Sequence, residues 1–279
     1  MFQVKPMTFC DFDFAVALAN TMDWNMAKED FQFALKLEPE GCLVAFNGSK
    51  RIGIATCISY GKVGWFGNLI VGSKYRRKGV GGLLVENAVE YLQSKGVETV
   101  GLYAYPNLKE FYKNHGFSVN EDFSVMHASA LKPVTAHGLP AFDAKHMDEI
   151  SAFDRCCFGG DRRRLLESII QGEGNLGFLV SEGGKVEGYV AATVYEAAAW
   201  VGPLICREGN VDAAVMLLGA TLAMLAGKSV YLVLPKKQTA FDKMLSAAGF
   251  KETFSVSRMF LGSSVAKNCI YMAESLERG

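Results

Sequence analysis

The feature that most restricts the fold is an internal repeat. Gly53-Ile54-Ala55-Thr56-Cys57 and Gly188-Tyr189-Val190-Ala191-Ala192 each follow a turn-bearing hairpin pattern, Ala45-Phe46-Asn47-Gly48-Ser49 in one and Ser181-Glu182-Gly183-Gly184-Lys185 in the other. The correspondence continues from Trp65-Phe66-Gly67-Asn68-Leu69-Ile70-Val71 to Trp200-Val201-Gly202-Pro203-Leu204-Ile205-Cys206. It resumes, two residues out of step, between His115-Gly116-Phe117 and Ala248-Gly249-Phe250, and again between Phe123-Ser124-Val125-Met126-His127 and Val256-Ser257-Arg258-Met259-Phe260. One such pair carries little weight, but their shared order and nearly constant separation predict a duplicated fold. The 279 residues, half of them hydrophobic, suffice for two domains with cores of their own. Leu131 to Leu139, with Pro133, Gly138 and Pro140 close by, has a linker's composition, dividing the chain into residues 1–131, a linker at 132–140 and residues 141–279.

Within the first copy, Leu69-Ile70-Val71-Gly72-Ser73-Lys74-Tyr75-Arg76-Arg77-Lys78-Gly79-Val80-Gly81-Gly82 joins a β-like apolar run to a basic, glycine-rich turn that opens a helix. Val80, Leu83, Leu84, Ala88, Tyr91 and Leu92 recur at helical spacing, and Gly96 supplies a stop. Gly79, Gly81 and Gly82 allow a tight loop whose N–H groups point outward at the positive end of the helix dipole, a cradle for an anion such as phosphate. Arg76, Arg77 and Lys78 add side-chain charge there. Glycine spacing alone is equally compatible with a solvated basic turn. A Walker loop does not fit, because Leu222 stands where Gly227-Lys228-Ser229 requires a glycine, and a Gly-x-Gly-x-x-Gly dinucleotide fingerprint is absent.

Strand, Arg76-x-x-Gly79-x-Gly81, then helix resembles the acetyl-CoA-binding motif of the GNAT acyltransferases. Leu102-Tyr103-Ala104-Tyr105-Pro106 followed by Asn107-Leu108-Lys109-Glu110-Phe111-Tyr112-Lys113-Asn114-His115-Gly116-Phe117 resembles that family's Tyr-x-x-x-Gly-Phe segment. The resemblance implies an α/β (α+β) fold of two GNAT-like domains in tandem, each a mixed, mostly antiparallel sheet flanked by helices. It also implies a pantetheine arm laid between two splayed strands against Leu69, Ile70 and Val71, with the pyrophosphate on Arg76, Arg77, Lys78, Gly79, Val80, Gly81 and Gly82, and Asn107 at the cofactor. A main-chain N–H near Leu69 would face the thioester oxygen, and Tyr112 would protonate the departing thiolate. The other reading of Tyr112 is an aromatic on a buried helix face. One part of the family pattern is missing. The strand Val63-Gly64-Trp65-Phe66-Gly67-Asn68-Leu69 carries no glutamate to deprotonate the amine, so the base stays open, with Asp23, Glu29 or solvent as candidates.

The second copy has Arg207-Glu208-Gly209-Asn210-Val211-Asp212-Ala213 in place of the cradle and Leu245 or a neighbour in place of Tyr112, and is expected to bind phosphate poorly. It resembles the degenerate domain of tandem GNAT proteins, which carries a segment similar to Phe158-Gly159-Gly160-Asp161-Arg162. There Asp154 and Asp161 are candidates for holding an ammonium group, and Arg155 or Arg162 a carboxylate. Asp161 equally suits a helix cap before Arg162-Arg163-Arg164. Trp24, in the loop Asn20-Thr21-Met22-Asp23-Trp24-Asn25, is a candidate pocket wall if exposed and core if buried.

Composition excludes several classes. Lys plus Arg and Asp plus Glu both number 29, so no net field draws the chain to nucleic acid or an acidic membrane. Four scattered histidines and no Cys-x-x-Cys spacing predict no metal site, and the seven cysteines read as reduced thiols of a cytoplasmic protein. The amino terminus does not resemble a signal peptide. Val211 to Ala226 falls short of the ~20 residues needed to span a bilayer and predicts a buried helix, although Ala213 to Ala226, rich in small and apolar residues, also suits an interface, in a homodimer or with the sister domain. The expected activity is transfer of acetyl from acetyl-CoA to a small-molecule primary amine. The alternative is a non-catalytic acyl-CoA or metabolite sensor.

Overall fold

The computed structural model describes residues 1–136, 138–265, 267 and 269–279, so His137 of the expected linker lies outside them. The first half runs β1 (Phe2–Pro6), α1 (Phe12–Ala19), α2 (Lys28–Leu37), β2 (Cys42–Asn47), β3 (Lys50–Tyr60), β4 (Val63–Val71), α3 (Val80–Ser94), β5 (Thr99–Ala104), α4 (Lys109–Lys113) and β6 (Ser118–Ala128). The second repeats the plan with α5 (Met147–Phe158), α6 (Arg163–Ile170), β7 (Leu176–Glu182), β8 (Lys185–Val194), β9 (Ala198–Arg207), α7 (Val211–Ala223), β10 (Ser229–Pro235), α8 (Asp242–Ala248) and β11 (Lys251–Leu261), then adds β12 (Cys269–Met272).

The two sheets are continuous. Their order is β1-β2-β3-β4-β5-β11-β6-β10-β9-β8-β7, with β12 on β9. Each half is thus closed by the other's last long strand: β11 pairs antiparallel with β5 from Ser257↔Ala104 to Leu261↔Val100, and β6 with β10 from Val230↔Ala128 to Pro235↔Phe123. β6 and β11 pair with each other at the centre. This exchange has a local cause. Phe123 and Val125 of β6 and Val256 of β11 are buried together with Val233 and Ala273, and Asp122 of β6 accepts a hydrogen bond from Ser257 of β11. A division of the chain by sequence position does not express this arrangement.

The sheet has two covered faces. Val80, Leu84, Ala88 and Leu92 of α3, as their spacing predicts, pack with Phe66, Val100 and Tyr112 on one face, whereas Leu83 and Tyr91 of the same spacing are half-buried and Val85, outside it, joins the core. On the other, Leu37, Trp65, Phe158, Leu165 and Tyr189 share a cluster that joins α2, α5 and α6 across the two halves. The apolar run beginning at Val211 forms α7, whose Ala213, Ala214, Leu217, Leu218 and Leu222 enter the second half's own core. That packing leaves Val211, Met216 and, just past the helix end, Met224 as exposed apolar side chains, and buries most of the remaining apolar surface expected for an interface.

Because the exchanged strands carry the central cluster, Phe123→Ala should cost about 3–5 kcal/mol. Chemical denaturation should show one transition for both halves, coincident by tryptophan fluorescence and circular dichroism. Two separated transitions would contradict a shared sheet.

Candidate functional site

β4 and β5 run parallel only from Val63↔Thr99 to Trp65↔Gly101, and beyond that point their facing edges part. On its other side β4 slips register against β3 between Ile54 and Thr56, leaving a bulge at Asn68 and Leu69. Asn68 takes φ 51°, and its side chain donates to Thr56 Oγ1 at 3.2 Å. A bulge bends a strand and re-aims its main-chain groups. Exposure follows the same boundary: Val63 to Phe66 are buried, Gly67 to Leu69 are half-buried, and Ile70 and Val71 are buried again. Phe66 points to the α3 face and Trp65 to the α2/α5/α6 face.

The strand delivers the chain to the start of α3. Gly79 adopts φ 84° and Arg77 φ 60°, and no side chain caps the helix. The first-turn N–H groups are thereby left for an external acceptor. Arg76 Nε donates to Val71 O at 2.9 Å, which orders the loop, while Arg77 and Lys78 are exposed. Gly82 lies against the His115 ring, where a Cβ would approach Nε2 to 2.9 Å, and Gly81 has only ordinary contact distance to Phe111.

Tyr112 is buried among aromatic side chains. It is 5 % exposed on α4, with its ring among Phe66, Phe111 and Phe117. Its hydroxyl makes no hydrogen bond among the described residues, and burial pushes its pKa well above the usual phenol value, so it remains a proton donor. Asn107 is exposed in the turn Pro106–Leu108 that leads into α4. Trp24 is half-buried, and its indole reaches the Tyr105 hydroxyl beyond β5. Two residues earlier in the same loop Met22 Sδ meets Arg76 at 3.6 Å. The α1–α2 loop therefore spans the mouth between the two strands.

The second half keeps the plan of this site but fills it. β9 has the corresponding register slip, between Val190 and Ala192, and Pro203 at its bulge has no N–H to offer. Past Leu232↔Val201, where β10 and β9 part, β12 pairs along β9 from Cys269↔Arg207 to Met272↔Leu204, and Ala273 N donates to Val233 O of β10 at 3.0 Å. The gap is occupied by the chain itself. α7 is capped in addition, Asn210 accepting from Ala213 N at 3.2 Å, and Leu245, in place of Tyr112, is core.

Three expectations for the second half need correction. Asp154 and Arg162 do not face a ligand. Both are 1 % exposed and form a two-point ion pair, Nη2 to Oδ1 at 2.6 Å and Nε to Oδ2 at 3.1 Å, with the Tyr189 hydroxyl also donating to Asp154. Burial alone would lower the Arg162 pKa, but Asp154 beside it holds it well above the ordinary value. Asp161 accepts from Arg163 N at 3.0 Å and pairs with Arg155, the helix-start role. Finally, Cys157 and Cys269 are disulfide-paired, since β12 begins beside the end of α5, and five cysteines remain free.

Sequence reasoning missed residues 273–279. Arg162 Nη1 donates to Gly279 O at 2.7 Å, Trp65 Nε1 to Leu276 O at 3.2 Å and Tyr60 Oη to Arg278 O at 2.9 Å. The segment crosses Gly202 at Ala273, where a Cβ would lie 2.0 Å from a carbonyl oxygen, and crosses Gly67 at Glu277, where a Cβ would lie 2.5 Å from the Glu277 Cα. The signal was present: two corresponding strand glycines, each marking a close approach of other backbone.

Comparison with known proteins follows the same division. Residues 12–117 match the acetyltransferase (GNAT) family model and residues 150–271 an acetyltransferase (GNAT) domain model. The chain is 26 % identical over 280 residues to the holothin acyltransferase of Pseudoalteromonas sp. (strain SANK 73390), covering 99 % of this chain and 94 % of that one. It is 24 % identical over 205 residues to the uncharacterized N-acetyltransferase YitH of Bacillus subtilis (strain 168), covering 71 % and 70 %. Among solved structures, a putative acetyltransferase from Pyrococcus horikoshii superposes with a TM-score of 0.82 at 22 % identity, over 100 % of this chain and 96 % of that one. A tandem GNAT protein from the clavulanic acid biosynthesis pathway gives 0.62 at 14 % identity, over 95 % and 100 %.

Removing one partner of the buried pair leaves the other charge unmatched. Arg162→Ala should therefore destabilise the protein by about 3–5 kcal/mol in denaturant titration, and the Asp154→Asn, Arg162→Met double variant should recover part of that loss. Equal losses in the single and double variants would show the pair to be unimportant.

Proposed function

From a chain that belongs to the GNAT superfamily of acetyltransferases, with two such domains in tandem, we propose an enzyme whose first half transfers acetyl from acetyl-CoA to the primary amine of a small molecule. The observation that carries the assignment to the first half is the contrast between the halves. The same bulged strand and helix start are open and uncapped at β4 and α3, but filled by β12 and capped by Asn210 at β9 and α7.

The residues of the first half suit this co-substrate. The uncapped N–H groups at Val80, Gly81 and Gly82, with Arg77 and Lys78, would hold the pyrophosphate, and Arg76 would keep the loop in shape as well as contributing charge. The unpaired edge of β4 at Leu69, Ile70 and Val71 would hydrogen-bond the pantetheine arm in the manner of an added strand. The thioester is the activated acyl donor, so no nucleophile of the protein is required. A main-chain N–H at the bulge would stabilise negative charge developing on the carbonyl oxygen, and Tyr112, kept protonated by burial, would give its proton to the leaving sulfur. Trp24, Tyr105 and the α1–α2 loop would bound the acceptor's entrance. On this reading acetyl-CoA supply favours the cytoplasm, while the Cys157–Cys269 disulfide is the feature that stands against it. Among the described residues no helix is long and apolar enough to cross a membrane.

The test is release of free CoA from acetyl-CoA across amino acids, polyamines, aminosugars and short peptides. Turnover with one class should be abolished by Gly81→Glu, which puts bulk and negative charge in the cradle. Tyr112→Phe should slow it by about 10²-fold with little change in acetyl-CoA affinity. Tight acetyl-CoA binding with no turnover across the panel would favour the sensor.

A further inference from the structure

The family's strand glutamate is absent from β4, and the two replacements suggested by sequence are poorly placed. Asp23 and Glu29 are both exposed on the α1–α2 side. The Cα and Cβ of a different acidic residue lie against the strand just before the bulge. Resting on the reading above, we propose that Glu277 is the base that deprotonates the acceptor ammonium, supplied to the first half by the segment that follows β12.

Four observations place it. The Glu277 Cα and Cβ lie against Gly67, so tightly that any side chain at position 67 would displace them, and Gly67 immediately precedes the bulge at Asn68 and Leu69. The face is the right one: Trp65, whose indole binds Leu276 O, points to the α2/α5/α6 side, opposite Phe66 and Tyr112. Base and acid thus stand on opposite faces of the gap, so an amine entering from one side expels the thiolate towards the other. The segment is fixed at both flanks, by Ala273 on β10 and by Gly279 on the buried Arg162. Finally, the Glu277 side chain is a quarter exposed, which leaves it open to a ligand or a water.

The surroundings suit a base for a cation. Arg278 of the same segment meets Glu277 Oε1 at 3.0 Å, but its Nε and Nη2 are held by Glu274 at 2.9 and 3.0 Å, and it lies over the Phe33 ring of α2. Asp30 of α2 and Tyr195 of the β8–β9 turn are the other titratable groups facing it. Three carboxylates against one guanidinium leave a net negative site for an ammonium. Burial raises the Glu277 pKa, Arg278 opposes the rise, and Glu274 and Asp30 reinforce it, which moves the group from a spectator carboxylate towards a working base.

The ammonium gives one proton to Glu277, directly or through one water. The nitrogen lone pair forms the C–N bond, the C–S bond breaks with its electron pair on sulfur, and Tyr112 gives that sulfur its proton. The second nitrogen proton returns to Tyr112 through solvent and Glu277 releases its own, leaving an amide, a thiol and one proton.

The experiment is the pH dependence of kcat/KM for wild type, Glu277→Gln and Glu277→Asp, using acetyl-CoA and two accepted amines of different pKa from the panel. Glu277 acts deprotonated, so the wild-type rate should rise as pH climbs through its elevated pKa, and this limb should stay fixed when the amine is changed. Glu277→Gln should lose the limb and about 10²- to 10³-fold in kcat/KM with acetyl-CoA affinity unchanged, and Glu277→Asp should retain it with partial activity. A Gln variant that keeps the limb at near wild-type rate overturns the proposal while leaving the enzyme reading intact. A faster Gln variant also overturns it and makes the segment a plug. No thiol release by wild type with any amine overturns both readings, and is distinguished by the wild-type data alone.

Discussion

Everything at the centre of this molecule depends on the exchange of two strands. β11 completes the first half's sheet beside β5, and β6 completes the second half's sheet beside β10. A strand edge in either half is satisfied only by residues encoded in the other, so neither sheet can close alone. The exchange also fixes the path of the chain after β11, which returns as β12 along β9 and ends against β4. The second half thereby supplies the segment that lies against β4 of its neighbour.

The halves show how one framework diverges by changing its donors. Both have a bulged fourth strand followed by a helix. In the first, the bulge carries ordinary residues and the helix start lacks a capping side chain. In the second, proline removes an N–H, Asn210 satisfies another, and β12 supplies the hydrogen-bonding partner that the strand edge otherwise seeks outside the protein.

Much of this was legible in the sequence. The repeat, the helix after Gly79, the hydroxyl-bearing Tyr112 and the loss of the cradle in the second half all arise from local pattern, because helix periodicity and turn chemistry act over a few residues. Strand partners do not. The pairing of Ser257 with Ala104 depends on contacts far apart in the chain, and alternating apolar residues specify a face but not a neighbour. The roles of Asp154 and Arg162 failed for a related reason: charge was legible, but burial beside Tyr189 and the partner carbonyl of Gly279 were not. Gly67 and Gly202 were visible as a conserved spacing within the repeat, yet what crosses them became evident only with the fold.

On the reading proposed here one half holds acyl-CoA while the chain itself fills the corresponding gap of the other. Amide hydrogen exchange followed by mass spectrometry, with and without saturating acetyl-CoA, tests it most directly. Added protection is expected across residues 66–83 and none across 201–214. Comparable protection in both stretches, or protection confined to the second, would contradict it.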